Sequence, residues 1–556
     1  MNRFRTVTRI LPSWTELARM RERPGTNLLA GLTVAIVALP LALGFGVASG
    51  VGAEAGLVTA IIAGVLAAVF GGSNLQVSGP TGAMTVVIAP VVAQHGTGGV
   101  LMVGLLAGVV LIVLAAAGVG RYMTFIPAPV VVGFTAGIAV VIGLQQVPAA
   151  LGLEPDVGNV AVVAFHAVVD FIAAPHWAEV GIAVAVLAVM LIGGRWRPGF
   201  PFSLAAIAVA TPVALALALP VKTIGALPAT LPAPNLDFVD LSAIPTLAGA
   251  AIAVAALSGL ESLLSATVAD GMTVRERHHP DRELFGQGVA NVVAPMFGGV
   301  AATAAIARTA VNVKAGASTR LAAISHSIIL ALAMLVAAPL VAHIPLAALA
   351  GVLIATAVRM VQVGSLRALG RATRSDAVVM GLTAVMTVAL DLVVAVLVGL
   401  LAAVFFAVRN IARSVTLDEV PLDVDGHSPD EATRLAEDIV AYRWDGPLFF
   451  AAAHRFLAEP EEIDAKVVIL RMSRVSTVDA SGALVVKEAI EGLERRGVVV
   501  LMSGVKDSHR RALTATGVLD RLDERGRLFT DTEAAVVAAR LMVLPDPDGV
   551  GTKPGG

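Results

Sequence analysis

From about residue 26 to about residue 412 the chain is one apolar stretch after another, each long enough to cross the ~30 Å hydrocarbon layer of a bilayer. This feature leaves little choice of fold. In lipid every backbone N–H and C=O must be paired, and an α-helix does so within one segment. The stretches centre near residues 38, 62, 86, 108, 138, 186, 210, 256, 290, 310, 332, 353, 383 and 400. They predict a polytopic α-helical membrane protein of about fourteen spans, some of them short or broken. Only 14% of the residues are charged, against roughly 25% in an ordinary soluble protein. That excludes a large water-soluble enzyme and a disordered chain. The formal net charge is -2 and no basic domain is present, which excludes nucleic acid as a partner. Cysteine is absent, so disulfides, zinc–thiolate sites, iron–sulfur clusters and catalytic thiols are ruled out. With aromatics at 4%, the apolar content is Ala, Val, Leu, Ile and Gly, which suits close helix–helix packing in lipid.

The scarce charge gives an orientation. Residues 1–25 are polar and basic, with Arg3, Arg5, Arg9, Arg19, Arg21 and Arg23, and no short apolar core leads to a cleavage site. If this segment is cytoplasmic, every even-numbered span ends inside. Those loops carry Arg121, Arg195, Arg197, Arg275, Arg277, Lys314, Arg320, Arg359, Arg367, Arg371 and Arg374. The opposite loops carry Glu54, Glu154, Asp156, Asp237 and Asp240, with Lys222 as the one exception. The positive-inside rule supports both the count and an arrangement with both termini cytoplasmic, in a bacterial-type inner membrane. The stretch Glu154 to Trp177 reads as an extracytoplasmic loop with an amphipathic helix. The transport part is therefore expected over 26–412. An acidic linker follows over 413–435, then a soluble α/β domain over 436–545 and a disordered tail over 546–556. In the soluble domain Val467–Leu470 and Val498–Leu501 read as buried strands, with an amphipathic helix over 480–496 between them.

Phe70-Gly71-Gly72 recurs as Phe297-Gly298-Gly299, and each copy leads into a short segment rich in small residues. One is Ser78-Gly79-Pro80-Thr81-Gly82-Ala83; the other is Ala304-Ala305-Ile306-Ala307-Arg308-Thr309. The copies enter the third and tenth spans, matching positions in two halves of seven. An odd-numbered half inverts its repeat across the membrane, the pattern of secondary transporters with interrupted helices. A half-helix starting at mid-membrane exposes unpaired N–H groups and the positive end of its dipole. Two such ends facing each other make an anion site.

Arg308 lies where the repeat places a helix start, and an arginine at that depth is costly unless it works. It reads as the fixed cation of the anion site, with Thr81 in the equivalent place of the first repeat. Thr85, Thr303 and Thr309 can add hydroxyls, or bond back to their own helices. Glu261, in the eighth span, can carry a coupling proton, or join Ser265 in ligating a cation; as a structural residue it would partner Arg308 or a backbone donor. Asp270 reads as a loop or capping residue and Asp391 as a solvated turn residue. Pro40 is expected to break the first span. His278-His279-Pro280-Asp281-Arg282-Glu283 has the look of a metal cluster, but a hydrophilic loop explains it better, and no metal is expected.

These segments resemble the sulfate permease (SulP) family of anion transporters over nearly the whole membrane part. The motifs are Val77–Thr81, Glu261–Leu264 with Ala269–Met272, Glu283–Gly288 leading to Phe297–Gly299, and Thr303–Ala310 with Asn312 and Ala315–Ala317. The resemblance implies a seven-plus-seven inverted repeat with core and gate domains. It also implies an anion held between spans three and ten, with the family's arginine on Arg308. The implied substrate contacts are Arg308, Thr309, Ala307, Thr81, Gly82, Pro80, Pro40 and Leu41, where Leu41 stands in place of a glutamine common in the family. Glu261 and Ser265 are the implied coupling residues, and no cofactor is expected beyond a coupling proton, with sodium as the alternative. The soluble part is similar to a STAS domain through Val478-Asp479-Ala480-Ser481-Gly482. Asp479 is a candidate helix N-cap, and Ser481 matches a residue phosphorylated in anti-sigma-factor antagonists of that fold. The resemblance further implies a homodimer and a cytoplasmic regulatory partner at the STAS domain.

Within the family, Leu260–Leu264, Ala302–Arg308 and Gly446–Ala453 resemble the bacterial proton-coupled dicarboxylate branch. Gly44–Gly50 is shared with the sodium-dependent bicarbonate branch, which by this reading lacks the arginine and has aspartate at the place of Glu261. The expected function is secondary active, proton-coupled uptake of a carboxylate or dicarboxylate by alternating access. The alternatives are a sulfate or bicarbonate transporter, a passive anion channel or exchanger, and a membrane-anchored signalling protein. The soluble part shows no phosphate-cradling loop and no acid/base pair, so no enzyme is expected.

Overall fold

A computed structural model describes residues 18–154, 158–197, 200–228, 230–273, 277–390, 392–420, 437–449 and 465–543. Arg3, Arg5, Arg9, Asp156, Arg275 and Asp391 lie outside these residues, as do most of the linker, Phe450 to Ala453 and the tail. The chain divides into two units, residues 1–403 and 404–556.

The first unit is helical apart from two strands of two residues each. α1 (Pro24–Ala48) and α2 (Ala53–Phe70) lead to a two-residue strand, β1 (Ser78–Gly79), and then α3 (Gly82–Ala116). α3 would be about 52 Å long if straight, far more than one crossing needs. Gly96, at φ 65°, breaks it into the two spans that the sequence predicts. Next come α4 (Ala128–Gln145), α5 (Val160–Ala173), α6 (Trp177–Trp196), α7 (Phe202–Ala216), α8 (Ile244–Gly271) and α9 (Pro280–Val293). α5 is the helix expected in the loop after Glu154. The second interruption is β2 (Thr303–Ala304), followed by the short α10 (Ile306–Lys314). α11 (Leu321–Val341), α12 (Leu346–Met360), α13 (Val363–Ala372), α14 (Arg374–Ala389) and α15 (Leu392–Arg413) complete the series. Among the described residues nine helices are long and apolar enough to cross a membrane. The other expected spans are shorter helices or share a helix that is broken.

Apolar residues pack in two main clusters. One joins α1 and α2 to α6, α7, α11 and α12; the other joins α3, α4, α8 and α9. Large apolar side chains such as Val336 and Leu340 stay outward, 79% and 75% exposed, as lipid-facing positions require. One expectation fails. Pro40 does not break the first span, because α1 runs unbroken past it. The neighbouring helices bury Pro40 and hold a proline-containing helix together.

In the second unit β3 (Thr416–Val420), β4 (Ile439–Leu448), β5 (Val467–Arg471), β6 (Val475–Val478), β7 (Val499–Ser503) and β8 (Leu528–Phe529) form one sheet. Its order is β3-β4-β5-β7-β8, with β6 on β4. β3 pairs antiparallel with β4, and every other pairing is parallel. This corrects the linker expected over 413–435, whose residues 416–420 are an edge strand. Its adjacent acidic residues Asp418 and Glu419 hid it, since an edge strand with polar side chains carries little apolar signal. Alternate residues face opposite sides. Val468, Leu470, Val500 and Met502 pack with α16 (Ala480–Arg495) and with α17 (Asp507–Ala515) and α18 (Val518–Asp523). Val467, Ile469 and Leu501 pack against α19 (Thr532–Val543). Helices on both faces explain why the strands read as unbroken apolar runs.

Candidate functional site

Two extended segments meet inside the helical unit. β1 and β2 pair antiparallel, Ser78 opposite Ala304 and Gly79 opposite Thr303. A helix starts just after each, so the N-termini of α3 and α10 come together. Thr81 caps α3, its hydroxyl accepting from the Met84 N–H at 3.4 Å. Ala305 is the cap of α10 and supplies no side-chain acceptor. Each helix end carries about half a positive charge. Gly79 stands opposite Thr303, and two residues on the caps Thr81 and Ala305 correspond. Counted from these caps, Arg308 is the third residue of α10 and its counterpart in α3 is Met84, not Thr81. Counting from FGG misjudged the equivalence, because the two connecting segments differ in length.

Arg308 sits in the first turn of α10, 1% exposed. Its Nη2 donates to the Pro80 carbonyl at 2.6 Å, tying the start of one half-helix to the other. Its Nη1 has no partner among the described residues. The guanidinium lies against Gly79, whose φ is +153° and where a Cβ would stand 2.6 Å from Nη1. Glu261 reaches in from α8, and its Oε2 accepts the Thr81 hydroxyl at 3.0 Å. The two charges therefore share a neighbourhood without a direct ion pair among the described residues.

Both border a cavity of about 520 Å³. Thr81, Gly82, Glu261, Ala305, Ala307 and Arg308 line it together with Leu41 and Phe45 of α1. Lys314, Arg359 and Gln362 line it as well. Pro40 is not in the lining. Thr309 and Ser265 are not either. Both are wholly buried, and the Thr309 hydroxyl accepts from the Val77 N–H at 3.1 Å and from the Ser265 hydroxyl at 2.9 Å. They fasten the segment leading into β1. Thr85 and Thr303 donate to the Gly82 and Ser258 carbonyls, at 2.6 and 3.1 Å. His278 packs its Nδ1 2.7 Å from Asp270 and draws the loop after α8 onto that helix end. In the second unit Asp479 caps α16, accepting from the Gly482 N–H at 2.7 Å, and Ser481 is exposed in its first turn.

Sequence reasoning missed a set of buried polar residues that hold both interrupted segments. Glu283 of α9 accepts from the N–H groups of Gly72 and Ser73 at 2.9 and 3.2 Å. Gln287 links it to the site, donating to Glu283 at 3.1 Å and to the Ser78 hydroxyl at 2.6 Å. Arg320 donates to the carbonyls of Ala68 and Val69 at 2.9 and 3.0 Å. A cation suits the negative end of α2. In the second repeat Asn291 accepts from the Ala302 N–H at 2.7 Å and donates to its carbonyl at 2.9 Å. Asn312 donates to the Leu75 carbonyl at 2.7 Å. The signal was present. Extended backbone at membrane depth needs partners, and polar residues inside apolar segments are where to look.

Comparison with known proteins agrees with this architecture. Residues 25–383 match the model of the sulfate permease family, and residues 432–535 match that of the STAS domain. The chain belongs to the sulfate permease family. It is 34% identical over 511 residues to YvdB of Bacillus subtilis (strain 168), provisionally named a sulfate transporter, covering 90% of this chain and 95% of that one. It is 30% identical over 541 residues to the bicarbonate transporter BicA of Synechocystis, covering 93% and 95%. The fold is that of the murine Solute Carrier 26 family member A9 anion transporter solved in the inward-facing state, with a TM-score of 0.83 at 17% identity over 96% of this chain and 94% of that one. The protein is thus a multi-pass membrane anion transporter of this family and not an enzyme. The expected likeness to a dicarboxylate branch finds no support here, since these bacterial and cyanobacterial relatives are named for sulfate and bicarbonate.

Proposed function

We propose that the protein is a secondary active transporter that carries a small oxyanion together with a proton. The observation that carries this is one cavity bordered by both Arg308 and Glu261, at paired half-helix N-termini. The charges suggest how coupling works. Arg308 and two helix ends of about half a charge each give a site of roughly +2 when Glu261 is protonated. When Glu261 is ionised the site falls to roughly +1. A divalent anion is matched only in the first case, so its binding favours proton uptake on Glu261. Thr81, which donates to Glu261 and caps α3, links the two events. A dicarboxylate or sulfate fits this balance, and a monovalent carboxylate or bicarbonate fits the ionised site. We favour carboxylate-type anions, whose paired oxygens suit recognition by a guanidinium. Sulfate and bicarbonate, the anions in the relatives' names, are the competitors.

Lys314, Arg359 and Gln362 are part of the same lining. With both termini cytoplasmic in a bacterial inner membrane, these residues lie toward the cytoplasm and the site is open inward. Transport then moves the paired half-helices across a barrier formed by the rest of the bundle. We further place the protein as a homodimer, with the STAS domain open to a regulatory partner at the exposed Ser481.

The test is uptake of labelled fumarate, succinate, sulfate and bicarbonate into proteoliposomes, with and without pH and sodium gradients. Uptake of at least one of these driven by a pH gradient is expected, and it should vanish in Glu261→Gln while substrate binding persists. Unchanged proton-driven uptake in Glu261→Gln sinks the coupling assignment. Uptake driven by sodium alone replaces it with the sodium-coupled reading.

A further inference from the structure

α13 lies between two expected spans, α12 and α14, at the end of the bundle that carries Arg359. Its sequence, VGSLRALGRA, is amphipathic. Leu366 and Leu369 fall on one side of the helical wheel and are half-buried where α13 packs on α14 and α4. Gly370 sits close to that contact, a Cβ there standing 3.7 Å from Met380. The opposite side carries Arg367 and Arg371, one turn apart, and Arg374 is the first residue of the next helix, α14, after a break at Thr373. All three are exposed. Among the described residues none of the three has an ion-pair or hydrogen-bond partner.

Three unpaired guanidinium groups in this short stretch are not needed to hold the helix, since its leucines already anchor it. Arg371 stands in the last turn of α13, where a cation favours the helix dipole, but Arg367 and Arg374 do not. On the expected topology the arginines stand where two spans leave the bilayer, at the depth of the headgroups. Guanidinium binds phosphate oxygens through paired N–H donors. We infer that α13 is a docking site for anionic phospholipid headgroups, held by Arg367, Arg371 and Arg374. A soluble phosphate offers the same chemistry, but a lipid phosphate is held at this depth by its acyl chains and stays at high local concentration. The inference concerns binding alone and stands whichever anion the protein carries.

The helix offers a position for a direct test. Ala368 is exposed beside Arg367 and can be replaced by a photo-crosslinking phenylalanine analogue in the full-length protein. The protein is placed in nanodiscs of equal phosphatidylglycerol and phosphatidylcholine, irradiated, and its lipid adducts are counted by mass spectrometry. Each arginine near an anionic surface is worth about 1 kcal/mol, or about fivefold. Phosphatidylglycerol adducts should therefore exceed phosphatidylcholine adducts at least fivefold at low salt. The ratio should fall toward one at high salt, where screening acts, and in the triple variant R367Q/R371Q/R374Q. The triple lysine variant keeps the charge and should keep most of the preference, which separates charge from a disturbed helix. A ratio near one with all three arginines in place overturns the inference. So does crosslinking to the chain's own acidic residues 415–435 in place of lipid, or an unchanged ratio in the glutamine triple.

Discussion

Arg308 uses one N–H on the Pro80 carbonyl and leaves Nη1 beside Gly79. This geometry makes two residues sensitive in different ways. Arg308→Ala removes the fixed cation and a charge-assisted hydrogen bond worth about 1.5–3 kcal/mol. Substrate affinity should fall roughly tenfold to a hundredfold, read as the dissociation constant by calorimetry or tracer binding. Gly79→Ala is smaller on paper. Its φ is one that L residues rarely adopt, and the added Cβ collides with Nη1. Uptake should fall by at least tenfold in proteoliposomes while the purified protein keeps its size-exclusion profile. A Gly79→Ala protein with normal uptake shows that the guanidinium can yield at no functional cost. Thr309 and Ser265, whose bonds run to each other and to Val77, should act mainly on stability.

At the scale of elements, the question is how two strands of two residues persist at membrane depth. Their backbone cannot satisfy itself as a helix does. Side chains from α2, α8, α9 and α10 supply the missing partners. Thr59 of α2 accepts from the Val300 N–H at 2.7 Å, and Asn291 brackets Ala302. Replacing Asn291 by Leu strands the buried Ala302 N–H, while the Ser258 hydroxyl of α8 still donates to the Ala302 carbonyl at 2.9 Å. Such a group costs about 1–3 kcal/mol, so the thermal midpoint of the membrane unit should drop by a few degrees. An unchanged midpoint in a fluorescence-based melt counts against this role. Glu283→Gln should behave similarly, since a neutral amide still accepts but only through one oxygen, while Gly72, Ser73 and Gln287 all donate to the carboxylate.

For the whole molecule, the division into two units predicts separable stability. Leu501 lies wholly buried in the middle of the soluble sheet, against Ala535 and Ala539 of α19. Leu501→Ala should cost about 2–5 kcal/mol of that unit's stability. Calorimetry on the full chain should show one transition moving down and the membrane unit's transition staying in place. A shift of both by equal amounts shows instead that the units unfold together.

The sequence by itself determined the class of fold and the main parts. Spans must be helical in lipid, and an apolar stretch of fixed length is a local property of the chain. The repeated FGG, the two small-residue segments and the charges at depth were equally local, so Arg308 and Glu261 could be singled out from a line of letters. The soluble strands were legible because both faces of the sheet are covered. Tertiary structure alone decided the rest. The pairing of Gly79 with Thr303 and the caps that follow replaced Thr81 by Met84 as the counterpart of Arg308. Neighbouring helices kept α1 whole at Pro40, and partners far along the chain made fasteners of Thr309, expected as a substrate contact, and of Ser265, expected as a coupling residue. The edge strand at 416–420 showed only through its partner β4. In each case a residue's role depends on which distant group satisfies it, and hydrogen bonds across hundreds of residues leave no local trace in the sequence.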